Sequence, residues 1–511
     1  MAALTARPGR ALVFIGFMGA GKSSAAREVA TALGIRSVDS DKVVEERLGC
    51  SVEESFARHG EARFREEEER VCVELLDGAG DGDVISLGGG AIGSEATRAA
   101  LARHTTVLVD LDLETAWSRA AGRGRPLATD RAAFDRLYAE REPTYRALAD
   151  AVIPGRERGA ARRALPWLLT LPEGVRLLWA TARSGSYPVL VGRRALEADP
   201  WPAQGRRFLV TDDQVAPLHG NRVAGVTEAV VIPAGEEHKT LAVFEEVQRA
   251  LARAGATRGD HLVALGGGVV GDLAGFAAAT YQRGVPVVQV PTTLVAQVDS
   301  AYGGKTGVDL PEAKNYVGAY HQPSGVLVDV GMLETLPERE RAAGRAEVIK
   351  TALIAGGRLW DRVAAGHFDD EDTVFDCART KLAVVAADER DGGRRQVLNL
   401  GHTVGHALET ATGYAALRHG EAVGLGLLAA LRLSGQDELR AQVAELLARA
   451  GLPTALAGRV DVDEVMAALR RDKKRVGDAV PFVLVWGPGR VHEGQTVDEA
   501  AVRAAVEELS A

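Results

Sequence analysis

Short apolar runs that end in glycine-rich turns recur along the first half of the chain. They lie at residues 11–15, 84–87, 106–109 and 261–265, and a run with helical spacing, 25–33, follows the first turn. Each apolar run has the length of one buried strand. Buried strands that alternate with helices are typical of parallel sheets, so the pattern predicts an α/β fold.

The pattern changes near residue 336. Beyond Thr335-Leu336-Pro337, long runs of Ala, Leu, Arg and Glu with helical spacing predict a mostly α-helical domain. Residues 151–176 combine Pro and Gly with a basic stretch, which predicts the last helix of a first unit and then a linker. We therefore expect three domains, at residues 1–172, 173–335 and 336–511.

Composition limits the classes of function that are open. With 511 residues, 46% of them hydrophobic and 26% charged, the chain is typical of a globular protein with several full cores. The formal net charge of −9 argues against general affinity for nucleic acid or membrane surfaces, so anionic ligands require local clusters of Arg and Lys. Three cysteines, none in a paired motif, favour a reducing compartment, and we expect a cytoplasmic protein.

The first glycine turn is a phosphate loop. Residues 16–23, Gly-Phe-Met-Gly-Ala-Gly-Lys-Ser, fit the pattern G-x4-G-K-[ST] at every defined position. In such a loop backbone N–H groups face phosphate oxygens, Lys22 reaches the β- and γ-phosphates, and Ser23 supplies a hydroxyl to Mg²⁺. This pattern predicts an ATP site at Met18, Gly19, Ala20, Gly21, Lys22 and Ser23.

Further polar motifs follow the phosphate loop. Two acids, Asp39 and Asp41, end a second short strand, and a glycine turn, Gly88-Gly-Gly90, ends the next. Four consecutive glutamates, Glu66–Glu69, come after Arg65, and we interpret them as a solvated helix face. Arginines recur in a loop at 123–125 and again at Arg141-Glu-Pro.

In this order the motifs resemble shikimate kinase over residues 10 to about 165. The resemblance implies a parallel five-stranded sheet and ATP-dependent phosphorylation of shikimate. It assigns shikimate binding to Asp41, Arg65, Gly89 and Arg141, which suits a ligand whose carboxylate arginines can grip and whose hydroxyl an aspartate can orient. It also implies that Asp39 helps to hold Mg²⁺ through water and that Arg125 is a lid arginine that reaches the ATP phosphates.

A second set of chemical groups surrounds a histidine motif. His402 and His406 are four residues apart in a segment with helical spacing, so both imidazoles lie on one helix face, and His419 follows. Upstream, Glu347 and Lys350 are one helical turn apart. Two histidines and a glutamate suit catalytic Zn²⁺. Spacing alone leaves open which of His402 and His406 binds metal, and it equally fits satisfied histidines beside an exposed Glu-Lys pair.

Another glycine loop, residues 266–272, joins a buried strand to an apolar helix. It lacks the G-x-G-x-x-G fingerprint, but it offers a pyrophosphate the same unobstructed helix N-terminus. The motifs Pro-Thr-Thr-Leu at 291–294, Asp-Ser-x-x-Gly-Gly-Lys at 299–305 and Lys-Asn at 314–315 follow it.

These motifs, followed by Ala-Glu-Val-Ile-Lys, Leu-Asn-x-Gly-His and His-Gly-Glu, resemble 3-dehydroquinate synthase over about residues 175–500. The resemblance implies an NAD-binding Rossmann-like domain and a mostly α-helical metal-binding domain. It makes Glu347, His402 and His419 the ligands of Zn²⁺ or Co²⁺, and leaves His406 to face substrate. It implies NAD contacts at Asp212, Glu236, Lys239, Gly268, Val269, Val270, Gly271, Asp272, Thr292, Thr293, Lys305, Lys314 and Thr335. It assigns substrate contacts to Arg283, Lys305, Asn315, Lys350, Lys381, Arg395, Asn399, His406 and one of Lys473 and Lys474.

The expected protein is a bifunctional enzyme of the shikimate pathway. The kinase half would phosphorylate shikimate with ATP. The synthase half would cyclise 3-deoxy-D-arabino-heptulosonate 7-phosphate to 3-dehydroquinate with release of phosphate. The resemblance also implies a homodimer through the synthase half, and small molecules rather than nucleic acid or membrane as partners. The alternatives are a kinase fused to another cyclase of sugar phosphates, a metal-dependent polyol dehydrogenase, or one half that only binds.

Overall fold

The structure is a computed structural model that describes residues 10–122, 127–413, 417–456, 461–470 and 480–510. These residues form two compact units. The first unit contains the described residues as far as Thr181, with Pro188–Leu190 and Glu197–Trp201, and the second contains the others. Within the described ranges, no helix is both long and apolar enough to cross a membrane.

The first unit is built on a parallel sheet. The five predicted strands have the order β2-β3-β1-β4-β5, and β6 adds a sixth parallel strand beside β5. The strands are β1 (Leu12–Ile15), β2 (Val38–Asp39), β3 (Val84–Ser86), β4 (Thr105–Asp110), β5 (Ala151–Pro154) and β6 (Arg176–Ala182). Because β1 lies in the middle and is buried throughout, the phosphate loop that follows it starts from the core.

Seven helices among the described residues connect these strands. They are α1 (Lys22–Leu33), α2 (Ser40–Leu48), α3 (Val52–Asp77), α4 (Glu95–Leu101), α5 (Leu113–Ala120), α6 (Arg131–Leu148) and α7 (Ala160–Thr170). A capping box starts α3, since Ser51 Oγ accepts from the Glu54 N–H while the Glu54 carboxylate accepts from the Ser51 N–H. The same helix breaks at Gly60, where φ is 76°.

The α/β part of the second unit contains a parallel sheet of order β14-β11-β10-β8-β9 and an antiparallel hairpin, β12-β13. The strands are β8 (Arg207–Asp212), β9 (Val226–Ile232), β10 (His261–Gly266), β11 (Val287–Pro291), β12 (Lys305–Leu310), β13 (Ala313–Tyr320) and β14 (Gly325–Val328). The strand before them, β7 (Gly185–Val191), has residues in both units. The helices are α8 (Ala216–His219), α9 (Leu241–Arg253) and α10 (Gly268–Thr280).

The rest of the second unit is mostly helical, as predicted. Its helices are α11 (Glu338–Ala355), α12 (Gly357–Ala364), α13 (Glu371–Ala387), α14 (His402–Ala411), α15 (His419–Leu433), α16 (Asp437–Arg449), α17 (Val462–Arg470) and α18 (Glu499–Glu507). A short antiparallel pair, β15 (Phe482–Val485) and β16 (Val491–Gln495), follows α17. The predicted fold class is confirmed.

Glycines allow three of these helices to approach one another closely. A Cβ atom on Gly420, in α15, would lie 2.1 Å from the carbonyl oxygen of Ala343 in α11. A Cβ on Gly405, in α14, would lie 3.0 Å from the carbonyl oxygen of Ala422 in α15. Main chains therefore touch where other residues would hold them apart, and the candidate metal ligands lie on these three helices.

Candidate active sites

One glutamate and two histidines from separate helices converge in the second unit. Glu347 lies in the third turn of α11, whereas His402 and His419 are the first residues of α14 and α15. The Oε1 atom of Glu347 is 3.6 Å from His402 Nε2 and 3.5 Å from His419 Nε2. Ligands of a tetrahedral zinc ion about 2.1 Å from the metal are separated by about 3.4 Å, so the three atoms have the spacing of ligands around one centre.

The chemistry of this group also fits a cation. Glu347 is 1% exposed; its Oε2 forms an ion pair with Lys350 Nζ, and its Oε1 faces the two imidazoles. Burial alone would raise the pKa of this carboxyl, but Lys350, His419 and His402 hold that pKa well below its ordinary value. Glu347 is therefore ionised. The His419 side chain that it faces is 43% exposed. An ionised ligand set that solvent can reach suits a catalytic metal with an open position.

The two imidazoles differ in their protonation. Burial, together with Lys350, lowers the pKa of His402 well below its usual value, so the ring is neutral and its Nδ1 faces the carbonyl oxygen of Leu400 at 3.2 Å. Burial would also lower the pKa of His419, but the carboxylates of Glu347 and Glu409 outweigh it and raise that pKa to about 10. Metal binding at His419 must therefore displace a proton.

His406, on which spacing was ambiguous, lies beside this group. Its ring centroid is 5.3 Å from that of His402 and 5.9 Å from that of His419. It forms a second set of potential ligands with Glu409 and His419, and that set does not include Glu347. The arrangement is consistent with a His406 that faces substrate next to the metal.

Two predicted substrate lysines converge on a carboxylate that sequence reasoning had not placed in the site. Asp299 lies in a single π-helical turn, Ala296–Ser300, and its Oδ1 is 2.8 Å from Lys381 Nζ and 3.9 Å from Lys350 Nζ. Burial would raise the pKa of Asp299, but the two lysines lower it. Asp299 opens the Asp-Ser-x-x-Gly-Gly-Lys motif, and that position was the available signal. The lysines are therefore neutralised before any anion binds.

Loops close to this cluster hold further predicted substrate residues. Arg395 is 2% exposed and donates to the carbonyl oxygens of Glu389 and Gly303, while Lys305 Nζ lies 2.5 Å from Asp391 Oδ2. Asn399 ends a 3₁₀ turn, Arg394–Asn399, three residues before His402. Arg283 is exposed and follows the C-terminal end of α10, about 20 Å along the helix from the glycine loop at its other end, and its substrate contact stays a prediction.

The predicted NAD residues lie at the carboxyl ends of the parallel strands. Asp212 ends β8, Gly268–Asp272 forms the first turn of α10 after β10, and Thr292 and Thr293 follow β11. Close packing requires glycine in this loop, because a Cβ on Gly267 would lie 2.9 Å from Thr293 Cγ2. The Thr292 hydroxyl is buried with no hydrogen-bond partner among the described residues. A helix N-terminus with an unused hydroxyl beside it fits a pyrophosphate.

Lys239 is the centre of an ion cluster at one side of this cleft. Its Nζ atom is 3.0 Å from Glu236, 3.3 Å from Asp272 and 3.7 Å from Asp309, and it donates to Asn315 Oδ1 at 2.8 Å. Burial raises the pKa of Asp272 to about 6 despite this lysine. Sequence reasoning missed Asp309, which accepts from the N–H of Asn315 at 2.7 Å and holds that residue at a φ of 57°. The charge of Lys314 acts on Asp309 in this cluster, and the Thr335 hydroxyl lies 2.7 Å from His219 Nε2.

In the first unit the phosphate loop has the backbone that its glycines permit. Gly16, Gly19 and Gly21 all have positive φ, and a Cβ on Gly16 would lie 2.6 Å from the carbonyl oxygen of Val109. Lys22 starts α1, and its Nζ donates to the carbonyl oxygen of Phe17 at 3.4 Å. Ser23 follows in the first turn. The loop therefore has the strand, turn and helix that phosphate binding requires.

The predicted shikimate residues meet next to this loop. Arg141 Nη1 donates to the carbonyl oxygen of Gly89 at 3.0 Å, and a Cβ on Gly90 would collide with the Arg65 guanidinium. A Cβ on Gly88 would lie 2.3 Å from an oxygen of Asp41. Four side or main chains that could bind an acidic polyol are therefore adjacent. Asp39 caps α2 by accepting from the Asp41 N–H, while Arg125, Lys473 and Lys474 lie outside the described residues.

The interpretation of Glu66–Glu69 as a solvated face was wrong for two of the four residues. Glu66 and Glu69 are exposed, but Glu67 is 8% and Glu68 only 2% exposed. Glu68 Oε2 lies 2.5 Å from Arg65 Nη1. A run of four residues covers a full helical turn, so at least one member must face the core. Here Glu68 faces Arg65, which is predicted to bind shikimate.

The fold and its sites define a two-part enzyme in which a phosphate-loop kinase precedes a metal- and dinucleotide-dependent α/β enzyme. Comparison with known proteins agrees. Residues 18–168 match the family model of shikimate kinase, and residues 229–343 and 344–475 match the N-terminal and C-terminal models of 3-dehydroquinate synthase.

Individual relatives point the same way. The chain is 45% identical over 352 residues to the 3-dehydroquinate synthase of Symbiobacterium thermophilum, covering 63% of this chain and 98% of the relative. It is 44% identical to that of Caulobacter vibrioides, covering 58% and 88% of the two chains. A solved 2-epi-5-epi-valiolone synthase from Streptomyces hygroscopicus, with NAD⁺ and Zn²⁺ bound, is 29% identical with a TM-score of 0.59, covering 65% and 98%.

The chain belongs to the 3-dehydroquinate synthase family and carries a shikimate kinase domain in front of the synthase. The predicted fusion and its two activities in the shikimate pathway are confirmed.

Proposed function

We propose that Glu347, His402 and His419 hold the synthase metal, Zn²⁺ or Co²⁺, and that His406 faces substrate beside it. The observation that carries this proposal is the pair of distances, 3.5 and 3.6 Å, from one Glu347 oxygen to the two imidazole Nε2 atoms. His402 is a neutral ligand ready to bind, and Glu347 supplies the negative charge. The solved 2-epi-5-epi-valiolone synthase has NAD⁺ and Zn²⁺ bound, which supports the same pair of cofactors here.

When bound, the metal and NAD⁺ supply carbonyl polarisation and reversible hydride acceptance, so that the reaction has no net change in oxidation state. The chain's own residues bind and orient the substrate. Lys350 and Lys381, already paired with Asp299, can exchange that carboxylate for phosphate or carboxylate oxygens of the heptulosonate. Arg395, Asn399, Lys305 and Asn315 would complete the anion site. Cations that are fixed in advance favour the departing phosphate, because they need not reorganise as its charge develops.

NAD would lie across the carboxyl ends of β8, β10 and β11. Its pyrophosphate would meet the N-terminus of α10, and the Thr292 hydroxyl would gain a partner. Asp212 is placed at the end of β8 where a ribose hydroxyl can be bound, and Asp272 and Lys239 lie across the cleft. Glu236, Lys314 and Thr335 complete the predicted contacts.

In the kinase domain, Lys22 and the loop N–H groups would bind the ATP phosphates, while Ser23 and Asp39 would hold Mg²⁺. Arg65 and Arg141 would grip the shikimate carboxylate, and Asp41 would orient the attacking hydroxyl. Their common contact with the Gly88–Gly90 turn supports this set. Arg125 is proposed as the lid arginine from the resemblance alone.

Further parts of the proposal concern the whole chain. We place domain boundaries near residues 172 and 335, a homodimer through the synthase half, and a cytoplasmic location, which the three free cysteines support. Sedimentation of the full chain tests the dimer. A single-chain mass would contradict it.

His402→Ala tests the metal assignment. We expect loss of tightly bound metal and of synthase turnover, with shikimate phosphorylation unchanged because the kinase has its own site. Metal content by elemental analysis and two separate assays measure this. Retention of one equivalent of metal would contradict the ligand set.

A further inference from the structure

The two candidate imidazole ligands differ in what supports the nitrogen that points away from Glu347. His402 Nδ1 faces a neutral group, the carbonyl oxygen of Leu400, at 3.2 Å. His419 Nδ1 faces a carboxylate, Glu409 Oε1, at 3.4 Å. Both rings present Nε2 to the same Glu347 oxygen. Only His419 therefore stands between two carboxylates.

The fold holds Glu409 in this place. It lies in α14 seven residues after His402, which is two helical turns along the same face. It is 4% exposed, and close packing at Gly405 keeps α14 against α15, the helix that His419 begins. The roles proposed above for the synthase reaction do not use this buried acid.

We propose that Glu409 is a positioning residue for the metal site, which orients the His419 ring through Nδ1 and makes Nε2 a better ligand. A carboxylate behind a ligating histidine fixes its tautomer and increases its basicity, and removal of such a partner weakens metal binding by about 10- to 100-fold. His419 needs this support more than His402, because its ring is 43% exposed and the His402 ring 12%. The inference rests on the metal ligands proposed above.

The test is titration of Co²⁺ into metal-free full-length protein, followed by visible absorption. Glu409→Gln keeps the size of the side chain and an oxygen acceptor but loses the charge, and we expect the Kd for Co²⁺ to rise about 10-fold. Glu409→Ala also loses the acceptor, and we expect about 100-fold with an altered Co²⁺ spectrum, because the ring is free to turn. Glu445→Gln, an exposed glutamate of α16, is the matched control and should bind as the unaltered protein does.

The outcomes separate the possible failures. If both Glu409 variants bind Co²⁺ within twofold of the unaltered protein while His402→Ala does not bind it, the positioning role is wrong and the ligand set stands. If His402→Ala binds a full equivalent, the ligand set itself is wrong. Two equivalents in the unaltered protein, of which Glu409→Ala loses one, would mean that His406, Glu409 and His419 form a metal site of their own, and this would overturn the inference.

Discussion

The kinase site and the synthase site balance charge in opposite ways. In the first unit the half-buried Lys22 donates to a carbonyl oxygen at 3.4 Å, and the N–H groups of the phosphate loop supply further positive ends. In the second unit Lys350 and Glu347 are each 1% exposed and form an ion pair with one another. The first site presents a half-buried lysine and loop N–H groups to a ligand, whereas the second contains a buried ion pair before a ligand binds.

This difference predicts that substitutions in the two sites will affect the stability of the fold to different degrees. An unpaired charge in the protein interior is costly, so removal of one member of a buried pair destabilises the fold. Lys22 is only half-buried, so its removal should cost less stability than removal of one member of a fully buried pair. Function and stability should therefore be lost together in the synthase and separately in the kinase.

Glu347→Gln should have the largest effect. It leaves the buried Lys350 with Asp299, 3.9 Å away, as its remaining carboxylate partner among the described residues. We expect a loss of about 3–5 kcal/mol in the free energy of unfolding of the second unit, and we expect metal binding and synthase turnover to be lost as well. Urea unfolding followed by tryptophan fluorescence measures this. In the double variant Glu347→Gln/Lys350→Met, stability should return while turnover does not. An unchanged unfolding midpoint in the single variant would contradict the expected link between this site and the stability of the second unit.

Lys22→Met should follow in size. Loss of a cation that stabilises the transferring phosphoryl group should lower kinase kcat by roughly 10²–10³-fold, with the unfolding midpoint and synthase turnover unchanged. Lys42→Met, at an exposed lysine of α2, is the control and should keep kinase activity. A Lys22 variant that unfolds at lower urea concentration would show that this site also is coupled to folding.

Glu68→Gln alters a buried ion pair inside the kinase and should have the next largest effect. Glu68 aligns Arg65, and without its charge we expect the KM for shikimate to rise about tenfold, or about 1.4 kcal/mol, with the KM for ATP unchanged. Steady-state kinetics measures both constants. Glu69→Gln, at the exposed neighbour, is the matched control. Equal effects of the two variants would refute the role of Glu68.

Asp260→Asn should have the smallest effect, at a carboxylate far from either reaction. Asp260 accepts hydrogen bonds from Arg206 and Thr257, which hold its pKa well below its ordinary value of 3.8. Because the folded-state pKa is depressed, its contribution to stability is present above pH 3.8 and is lost as the pH falls further. We expect the variant to be about 1 kcal/mol less stable near neutral pH, and the difference to narrow below about pH 4. A constant difference would contradict this.

Local sites could be predicted from the sequence more fully than dispersed ones. The phosphate loop occupies eight consecutive residues, 16–23, so its pattern alone predicts its geometry. The candidate metal ligands come from three helices, and spacing could not decide between His402 and His406, because residues four apart share one helix face. The choice depends on where α11 and α15 pack, which is a tertiary property. The resemblance to a family implied a choice between the two histidines that spacing alone could not make.

The sequence did not show which charged side chains form ion pairs with one another. Asp299, Asp309 and Glu68 each lie in or next to a recognised motif, but their function depends on side chains that are distant in sequence, such as Lys381 and Lys239. A run of acids reads as solvent-exposed in any one-dimensional pattern. Only the packing of a helix against its neighbours determines which acid is buried.

The contact between Gly420 and Ala343 fixes the distance between the two helices, α11 and α15, that carry Glu347 and His419. Two main chains that already touch cannot move closer. Glycine has no side chain, so no smaller residue could reduce the distance between the helices. Even the smallest enlargement, Gly420→Ala, must push the start of one helix outward and carry its histidine along. The backbone therefore sets the distance between the candidate ligand atoms, and with it the radius of the ion that fits between them. A substitution could change this distance only by shifting a whole helix.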